Sequence, residues 1–108
     1  MGFRGDMDAL VLGALDDGPA HGYEIARRIK MRSEEALAVG EGLLYPALHA
    51  LERDGYVVAE WVPQEGKPNR KVYRLTDTGR GVLAKKRKEW QRFAAGVSAV
   101  LRPEVSGA

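Results

Sequence analysis

The sequence predicts a mainly α-helical fold with a small β-hairpin and a long helix near the C-terminus. Three observations support this fold class. Apolar residues recur at helical spacing in the first half of the chain, strand-forming residues dominate between residues 56 and 75, and a second helical pattern begins at residue 77. The chain has 108 residues, of which 44% are hydrophobic and 30% are charged. This length and composition are typical of a single soluble domain.

The first helix is predicted between two local signals. Asp6 can cap its start, and Asp17-Gly18-Pro19 ends it, because glycine permits a reversal of the chain and proline cannot continue a helix. The apolar stripe between these signals consists of Met7, Leu10, Val11, Ala14 and Leu15.

The second helix is predicted to start near His21-Gly22-Tyr23-Glu24 and to be amphipathic. Its buried side is expected to contain Gly22, Ile25, Ala26 and Ile29. Its outward side is expected to present Arg27, Arg28, Lys30 and Arg32. The polar residues 33–36 then lead to Leu37-Ala38-Val39, which is too short for a helix and is interpreted as a brief strand.

The third helix, within residues 40–55, is the element around which the chain is arranged. Leu44, Leu48 and Leu51 share one side of it, and the outer face carries Tyr45, His49 and Arg53. A short helix that buries leucines and exposes a phenol, an imidazole and a guanidinium suits insertion into a nucleic-acid groove. An ordinary amphipathic core helix would show the same pattern.

The bounds of this third helix follow from three small signals. Gly42 gives a flexible start, and Asp54-Gly55 gives a stop, with Gly55 suited to the left-handed residue after a helix. Pro46 lacks a backbone donor and bends a helix from inside, so we expect the helix to begin only shortly before it.

A β-hairpin is predicted after residue 55. Residues 56–62 are rich in strand formers, residues 70–75 alternate, and residues 63–69 form a polar turn with two prolines and a glycine. The tip is expected to be mobile and cationic, with Asn69 beside Lys67, Arg70 and Lys71. Such a tip suits contact with phosphates, although a solvated hairpin is the alternative.

A long final helix is predicted from residue 77 to residue 102. Thr76 can cap it, Asp77 complements its positive end, and Pro103 ends it, which leaves residues 103–108 as a tail. A heptad-like seam, with Lys86 at the one skipped position, comprises Leu83, Trp90, Phe93, Ala94, Val97, Val100 and Leu101. So small a domain cannot cover the whole seam, so we expect a homodimer.

Charge and composition narrow the possible functions. Residues 1–66 carry a net charge of −6, from 6 basic and 12 acidic residues, whereas residues 67–108 carry +8, from 11 basic and 3 acidic residues. This asymmetry indicates a polyanionic partner for one face, although the basic final helix is best interpreted as a solvated surface.

Several functions are not expected from the residue types present. The absence of cysteine excludes disulfides and thiol chemistry, and His21 and His49 lie far apart, so neither a metal nor a cofactor is expected. No plausible nucleophile–base pair or phosphate-binding glycine loop is present, so we expect no enzyme. Without a secretion signal or a membrane-spanning run, a cytoplasmic protein is expected.

Together these elements make a winged helix-turn-helix over residues 1–76, with a wing at about 56–75, and a dimerisation helix over 77–102 in the same compact unit. The chain resembles the PadR family of transcriptional regulators from about residue 7 to residue 101. The resemblance depends on three motifs: His21-Gly22-Tyr23-Glu24-Ile25, Gly42-Leu43-Leu44-Tyr45-Pro46-Ala47-Leu48 with Leu51, Glu52 and Gly55, and Arg70-Lys71-Val72-Tyr73-Arg74-Leu75-Thr76 with Gly79. Leu43 departs from the family pattern, in which threonine is frequent, and the short chain resembles the compact branch of the family.

The resemblance implies a homodimeric DNA-binding regulator, usually a repressor, that a small molecule or another stress signal releases from a palindromic operator. A winged-helix module that binds proteins and not DNA is the alternative. From motifs and resemblance together, the expected DNA contacts are His21, Gly22, Tyr23, Gly42, Tyr45, Pro46, His49, Arg53, Lys67, Asn69, Arg70, Lys71 and Tyr73. Because some compact relatives stack planar ligands on a tryptophan of the last helix, Trp90, Phe93 and Val97 are the candidate site for a planar aromatic effector, with simple packing as the alternative.

Overall fold

The computed structural model describes residues 6–104, and within this range the chain forms four helices and a three-stranded antiparallel sheet. The elements in chain order are α1 (Met7–Leu15), β1 (Ala20–His21), α2 (Gly22–Arg32), α3 (Glu41–Arg53), β2 (Val57–Gln64), β3 (Lys67–Leu75) and α4 (Asp77–Leu101). This arrangement confirms the predicted mainly α-helical fold with a small hairpin and a long final helix.

Local capping determines where the helices begin. An Asp6 carboxylate oxygen accepts the Ala9 N–H at 3.3 Å, and the Thr76 hydroxyl oxygen accepts the Gly79 N–H at 3.0 Å. Each bond satisfies a backbone donor that the first turn of a helix leaves without an intrahelical partner. Both predicted caps are therefore confirmed, and so is the stop after α3, where Gly55 has a φ of +81°.

The core lies where α1 meets α2, α3 and the start of α4. Its buried members are Val11, Leu12, Ala14, Leu15, Ala20, Ile25, Ile29, Leu44, Leu48, Leu51, Val57, Tyr73, Leu75 and Leu83. The predicted leucine side of α3 is confirmed. Leu12 was not in the predicted stripe of α1, and it is buried because α1 packs against neighbours on more than one side.

The short strand lies elsewhere than predicted. Leu37-Ala38-Val39 is irregular, and the two-residue strand β1 precedes α2 instead, with Ala20 paired to Tyr73 and His21 to Val72. Leu37 and Val39 are apolar because they pack against the core, not because they pair with a strand. The connection before them contains Glu34 and Glu35, both in the left-handed region.

Helix α3 begins at Glu41, one residue before the flexible start predicted at Gly42, and continues through Pro46. Pro46 removes the hydrogen bond that would go to the carbonyl of Gly42. Both residues are exposed, so water can hydrate that carbonyl, and the helix tolerates the missing bond.

The hairpin occupies about the predicted residues, but its strands are longer and its turn is shorter than predicted, since a two-residue turn at Glu65 and Gly66 joins β2 to β3. The positive φ of Gly66, +71°, suits this turn. Pro63 and Pro68 lie inside the strands, next to a register irregularity between Val62 and Gln64. A bulge at an edge accommodates proline, because no ladder hydrogen bond has to come from its nitrogen.

Helix α4 extends beyond the body of the fold after Trp90, which still contacts Asp6 at the start of α1. Its buried residues are Gly79 and Leu83, and residues 91–101 are all exposed. Leu83 therefore packs in the core of its own subunit, which corrects its predicted place in a dimer seam. Within residues 6–104, no helix has both the length and the apolar composition needed to span a membrane. The predicted tail beyond residue 104 lies outside the described residues.

Candidate nucleic-acid interface

An open cleft of about 610 Å³ lies between the start of α2, the outer face of α3 and the hairpin. Three separate sequence motifs converge on it. Its lining consists of His21, Gly22, Tyr23, Tyr45, His49, Trp61, Arg70, Lys71 and Tyr73. The structure thus brings together residues up to about 50 positions apart that the sequence had nominated separately.

The outer face of α3 forms one wall of this cleft. Tyr45 is 36% exposed, His49 is exposed, and the Arg53 side chain is 74% exposed with an ion pair to Asp54 at 3.5 Å. The Tyr45 ring packs directly over Gly22, because a Cβ atom at Gly22 would lie 2.6 Å from the Tyr45 hydroxyl oxygen. A glycine at the start of α2 is therefore what allows the Tyr45 ring to pack there.

The start of α2 forms the second wall. His21 caps the helix by accepting the Glu24 N–H on Nδ1 at 3.3 Å, and its ring stacks on Tyr23 with a centroid separation of 6.2 Å. Burial lowers the pKa of His21, and the nearby cation Arg70 lowers it further. The neutral imidazole is thereby favoured, as the cap requires.

The hairpin supplies the cations, but not at its tip as predicted. Arg70 and Lys71 lie in the middle of β3, opposite Val62 and Trp61, and only Lys67 is next to the turn. Lys67, Asn69 and Arg70 are exposed. The predicted cluster of three cations at a mobile tip is thus replaced by a row along an ordered strand.

Lys71 differs from the other cations because it is bound within the fold. Its ammonium lies 3.3 Å from a carboxylate oxygen of Glu52, 5.4 Å from the ring centre of Tyr73 and 5.9 Å from that of Trp61. Burial alone would lower the pKa of Lys71, but the hydrogen bond to Glu52 and the attraction of Tyr73 raise it overall. Lys71 thus stays charged and is positioned facing the cleft.

Two predicted roles are corrected by burial and hydrogen bonding. Tyr73 is only 2% exposed, so its ring supports the floor of the cleft and cannot lie against DNA as a direct contact. Arg28 does not point outward, because it donates to the carbonyl oxygens of Ala14 at 3.1 Å and Gly18 at 2.7 Å. It thereby satisfies acceptors left open at the end of α1.

Trp61 is a cleft residue that sequence reasoning did not nominate as a DNA contact. It is 64% exposed and shares a face of β2 with Val57 and Ala59, the first of which is buried and the second half-buried. Strand periodicity of two gives this placement, since alternate residues share a face. The sequence contained this signal, because Trp61 follows Val57 and Ala59 at every second position and therefore lies on the same face of the strand, beyond the buried core.

A second surface lies along the distal part of α4. Phe93, Val97, Val100 and Leu101 share one face of this helix and form an open apolar surface on α4 alone. The Trp90 indole meets Phe93 edge to face, with centroids 5.4 Å apart, and its N–H donates to Asp6. The predicted seam is therefore one continuous exposed face from Phe93 onward, while Trp90 is turned partly towards α1. Ala94 is also exposed.

No group of three or more His, Cys, Asp or Glu side chains suited to a metal ion occurs within residues 6–104. His21 and His49, although far apart in sequence, both line the cleft. The side chains that line the cleft offer hydrogen bonding, aromatic contact and cationic attraction.

Comparisons with known proteins agree with this geometry. Residues 11–85 match the PadR-like family of transcriptional regulators. A transcriptional regulator of Mycobacterium tuberculosis is 36% identical over 81 residues, which are 75% of this chain and 72% of that protein. A transcriptional regulator from Clostridium thermocellum superimposes with a TM-score of 0.82 at 28% identity, covering 92% of this chain and 93% of that one. A PadR family regulator from Eggerthella lenta gives a TM-score of 0.75 at 33% identity, covering 94% and 86%. The chain therefore belongs to the PadR-like family of transcriptional regulators.

Proposed function

We propose that this protein is a homodimeric repressor that binds a palindromic DNA operator in the cytoplasm and is released by a planar aromatic effector. The observation that carries the proposal is the cleft itself. It joins a helix start, the exposed face of α3 and a row of strand cations in one concave surface. No catalytic step is part of this function.

In the proposed complex, α3 lies in the major groove. Tyr45, His49 and Arg53 then face base edges, and the exposed Gly42 and Pro46 lie where the helix first meets the backbone of the DNA. The first turn of α2 and the cations of β3 contact phosphates on either side. Base contacts supply sequence preference, and phosphate contacts supply most of the salt-dependent affinity.

The proposed dimer forms through the distal part of α4. Val100 is 83% exposed and Leu101 is 76% exposed, although both are large apolar residues. An isolated helical extension gains little from propensity alone, and an apolar face of this extent suits association with a second copy. A two-fold axis between the α4 helices would place two α3 helices on successive half-sites.

The proposed effector binds at the same face. Phe93 and Val97 lie on an open apolar surface formed by α4 alone, and a second copy of this helix would close it into a pocket of the concave kind that binds ligands. Trp90 borders Phe93 and offers an indole face for stacking, which adds roughly 0.5–1.5 kcal/mol per aromatic pair beyond area burial. A planar aromatic compound held between two such faces is the chemistry that this surface fits.

The experiment that tests the proposal is selection of bound sequences from random duplex DNA with the purified protein. We expect a palindromic sequence to be enriched, with affinity that falls steeply as salt increases. Tyr45→Ala and His49→Ala should each weaken binding to that sequence by about 1–3 kcal/mol. Val58→Ala is the matched control, because Val58 is 37% exposed, much like Tyr45, but lies outside the residues that line the cleft. If no salt-dependent DNA binding is found, the protein-binding module becomes the better hypothesis.

A further inference from the structure

The Asp6 carboxylate joins the start of α1 to the middle of α4. One of its oxygens accepts the Ala9 N–H at 3.3 Å and lies 3.1 Å from the Lys86 ammonium nitrogen. The other accepts the indole N–H of Trp90. Lys86 and Trp90 are one turn apart on α4, so a single side chain both caps one helix and binds two successive positions of another.

This contact is more enclosed than the other ion pair between the same helices. The side chains of Asp6 and Lys86 are 20% and 25% exposed, whereas those of Asp16 and Arg87 are 41% and 49% exposed. Burial alone would raise the pKa of Asp6, but the hydrogen bonds from Trp90 and Lys86 lower it overall. The carboxylate is therefore held in its ionised form, and solvent screens its attraction to Lys86 less than it screens the exposed pair.

Because this contact lies near the middle of α4, a small change of angle there displaces the far end of the helix by a large distance. Leu83 is buried, and the exposed part of α4 begins directly after Trp90. From Lys86 to the end of the helix is roughly 22 Å at about 1.5 Å per residue. A change of about 10° at Lys86 would therefore move the far end by about 4 Å, which is comparable with the rise of roughly 3.4 Å per base pair.

We propose that Asp6 is a positioning residue that fixes the angle between α4 and the DNA-binding body, and thereby sets the spacing between half-sites that the dimer accepts. This inference rests on the proposed function, a homodimer on a palindromic operator. The residue acts through Lys86 and Trp90 and touches no DNA itself.

Four variants separate this role from ordinary stabilisation. Asp6→Ser keeps a good helix cap but is too short to reach α4. Lys86→Met and Trp90→Phe leave the cap intact and remove one donor each, so the inference can be tested even if the Asp6 variant fails to fold. Ile29→Val is the matched control, because it weakens the buried face of α2 and not the junction of α1 with α4.

The first readout is the distance between the two DNA-binding bodies in the dimer. The chain contains no cysteine, so Arg27→Cys on the exposed side of α2 carries a single spin label per subunit. We expect a narrow distance distribution in the otherwise wild-type protein and with Ile29→Val. With Asp6→Ser, Lys86→Met or Trp90→Phe we expect a broadened or shifted distribution, which a purely stabilising role would not produce.

The second readout is affinity for operators whose spacer is changed by one or two base pairs. The wild-type protein should lose about tenfold in affinity for each base pair added or removed. The variants Asp6→Ser, Lys86→Met and Trp90→Phe should lose about threefold or less. Unchanged distances and an unchanged spacing preference in these variants would overturn the positioning role while leaving the proposed function intact. A monomeric wild-type protein, or one without a palindromic site, would overturn the proposed function and this inference with it.

Discussion

At the scale of single residues, two glycines of α4 have opposite environments. A Cβ atom at Gly79 would overlap the carbonyl oxygen of Tyr56, whereas a Cβ atom at Gly81 meets nothing within 4 Å. The Tyr56 carbonyl already accepts the Thr76 N–H at 3.1 Å, so this part of the backbone is fixed and cannot move aside cheaply. Close approach of α4 to the start of the wing therefore depends on Gly79.

We expect Gly79→Ala to destabilise the fold by about 3 kcal/mol, because backbone atoms and not a flexible side chain must shift. Gly81→Ala is the matched control on the same helix and should stabilise it by roughly 0.5–1 kcal/mol through helix propensity. Urea unfolding followed by circular dichroism measures both. Equal midpoints for the two variants would contradict the close approach.

His21 gives the protein a pH-dependent helix cap. Its pKa is lowered in the folded state, by burial first and by Arg70 second, whereas in the unfolded chain it has the usual value near 6.5. The unfolded state therefore binds the proton more readily. The stabilising contribution of His21 is complete above about pH 6.5 and is lost as pH falls through the folded-state pKa.

We expect the free energy of unfolding to fall between pH 7 and pH 5 in the wild-type protein. His21→Asn should reduce this slope, because asparagine can accept the Glu24 N–H but does not titrate in this range. Urea unfolding at a series of pH values measures the difference. Parallel curves for the two proteins would show that His21 has the same pKa in both states.

Sequence reasoning at this scale succeeded where a role depends on neighbours along the chain. The caps at Asp6 and Thr76 were predictable because a cap binds a donor three residues away. The roles of Tyr73 and Arg28 were not, because each depends on an element that only the tertiary fold brings close. Gly22 shows the same limit: its contact with Tyr45 joins two motifs whose relative position the sequence does not reveal.

At the scale of elements, the helices and the hairpin were predictable because each has a periodic apolar pattern of sufficient length. Strand β1 was not, since its two residues contain no period and pair only with β3. The strand predicted at Leu37-Ala38-Val39 was wrong for a related reason, because a short apolar segment can pack against a core without pairing with a strand. Helix α3 continues through Pro46 because water can reach this exposed part of the helix, which lowers the cost of proline inside it.

The wing offers a test at this scale, because its cations have unequal surroundings. Lys67 and Arg70 are exposed, whereas Lys71 is bound by Glu52. If the wing contacts phosphates, Lys67→Ala combined with Arg70→Ala should weaken binding to all DNA sequences and lower the salt slope by about two phosphates. The matched control is Lys85→Ala combined with Lys88→Ala, which makes the same charge change on the exposed side of α4.

Fluorescence anisotropy on labelled duplex DNA across a salt series measures this slope. A wing double variant with the wild-type slope would mean that the hairpin is solvated and makes no phosphate contact. A lowered slope in the α4 control as well would mean that net charge, and not the position of the wing cations, governs binding.

At the scale of the whole molecule, α4 consists of a first part that packs on the fold and a second part that is exposed. The described residues extend over 68 × 27 × 22 Å, and α4 contributes roughly 38 Å of helix length at about 1.5 Å per residue. The length of α4 was predictable from its cap, its pattern and Pro103. How its apolar positions divide between the core and a partner was not, because Leu83 and Val97 belong to the same heptad-like pattern but only Leu83 is buried.

This division suggests how an effector could reach the DNA. Trp90 lies between the two parts, bonded to Asp6 on one side and in edge contact with Phe93 on the other. A planar ligand that stacks on Trp90 and Phe93 would act on the same junction that positions the DNA-binding body. It can shift the dimer only if it binds one geometry better than the other.

We therefore expect a planar aromatic ligand to weaken operator binding, and the operator to weaken ligand binding by the same factor, because coupling between two sites is reciprocal. The chain has two tryptophans, so a Trp61→Phe variant leaves Trp90 as the sole indole reporter. Titrations of its fluorescence with flat aromatic compounds, with and without operator, give the factor for ligand binding. Because Trp61 lines the cleft, the affinity of the same variant for labelled operator, with and without ligand, gives the factor for DNA binding. Val97→Ala, on the apolar face of α4 but away from the indole, should weaken ligand binding without abolishing the dimer. If no such compound changes the Trp90 signal, or if quenching is the same with operator present, Trp90 serves packing alone and the effector acts elsewhere.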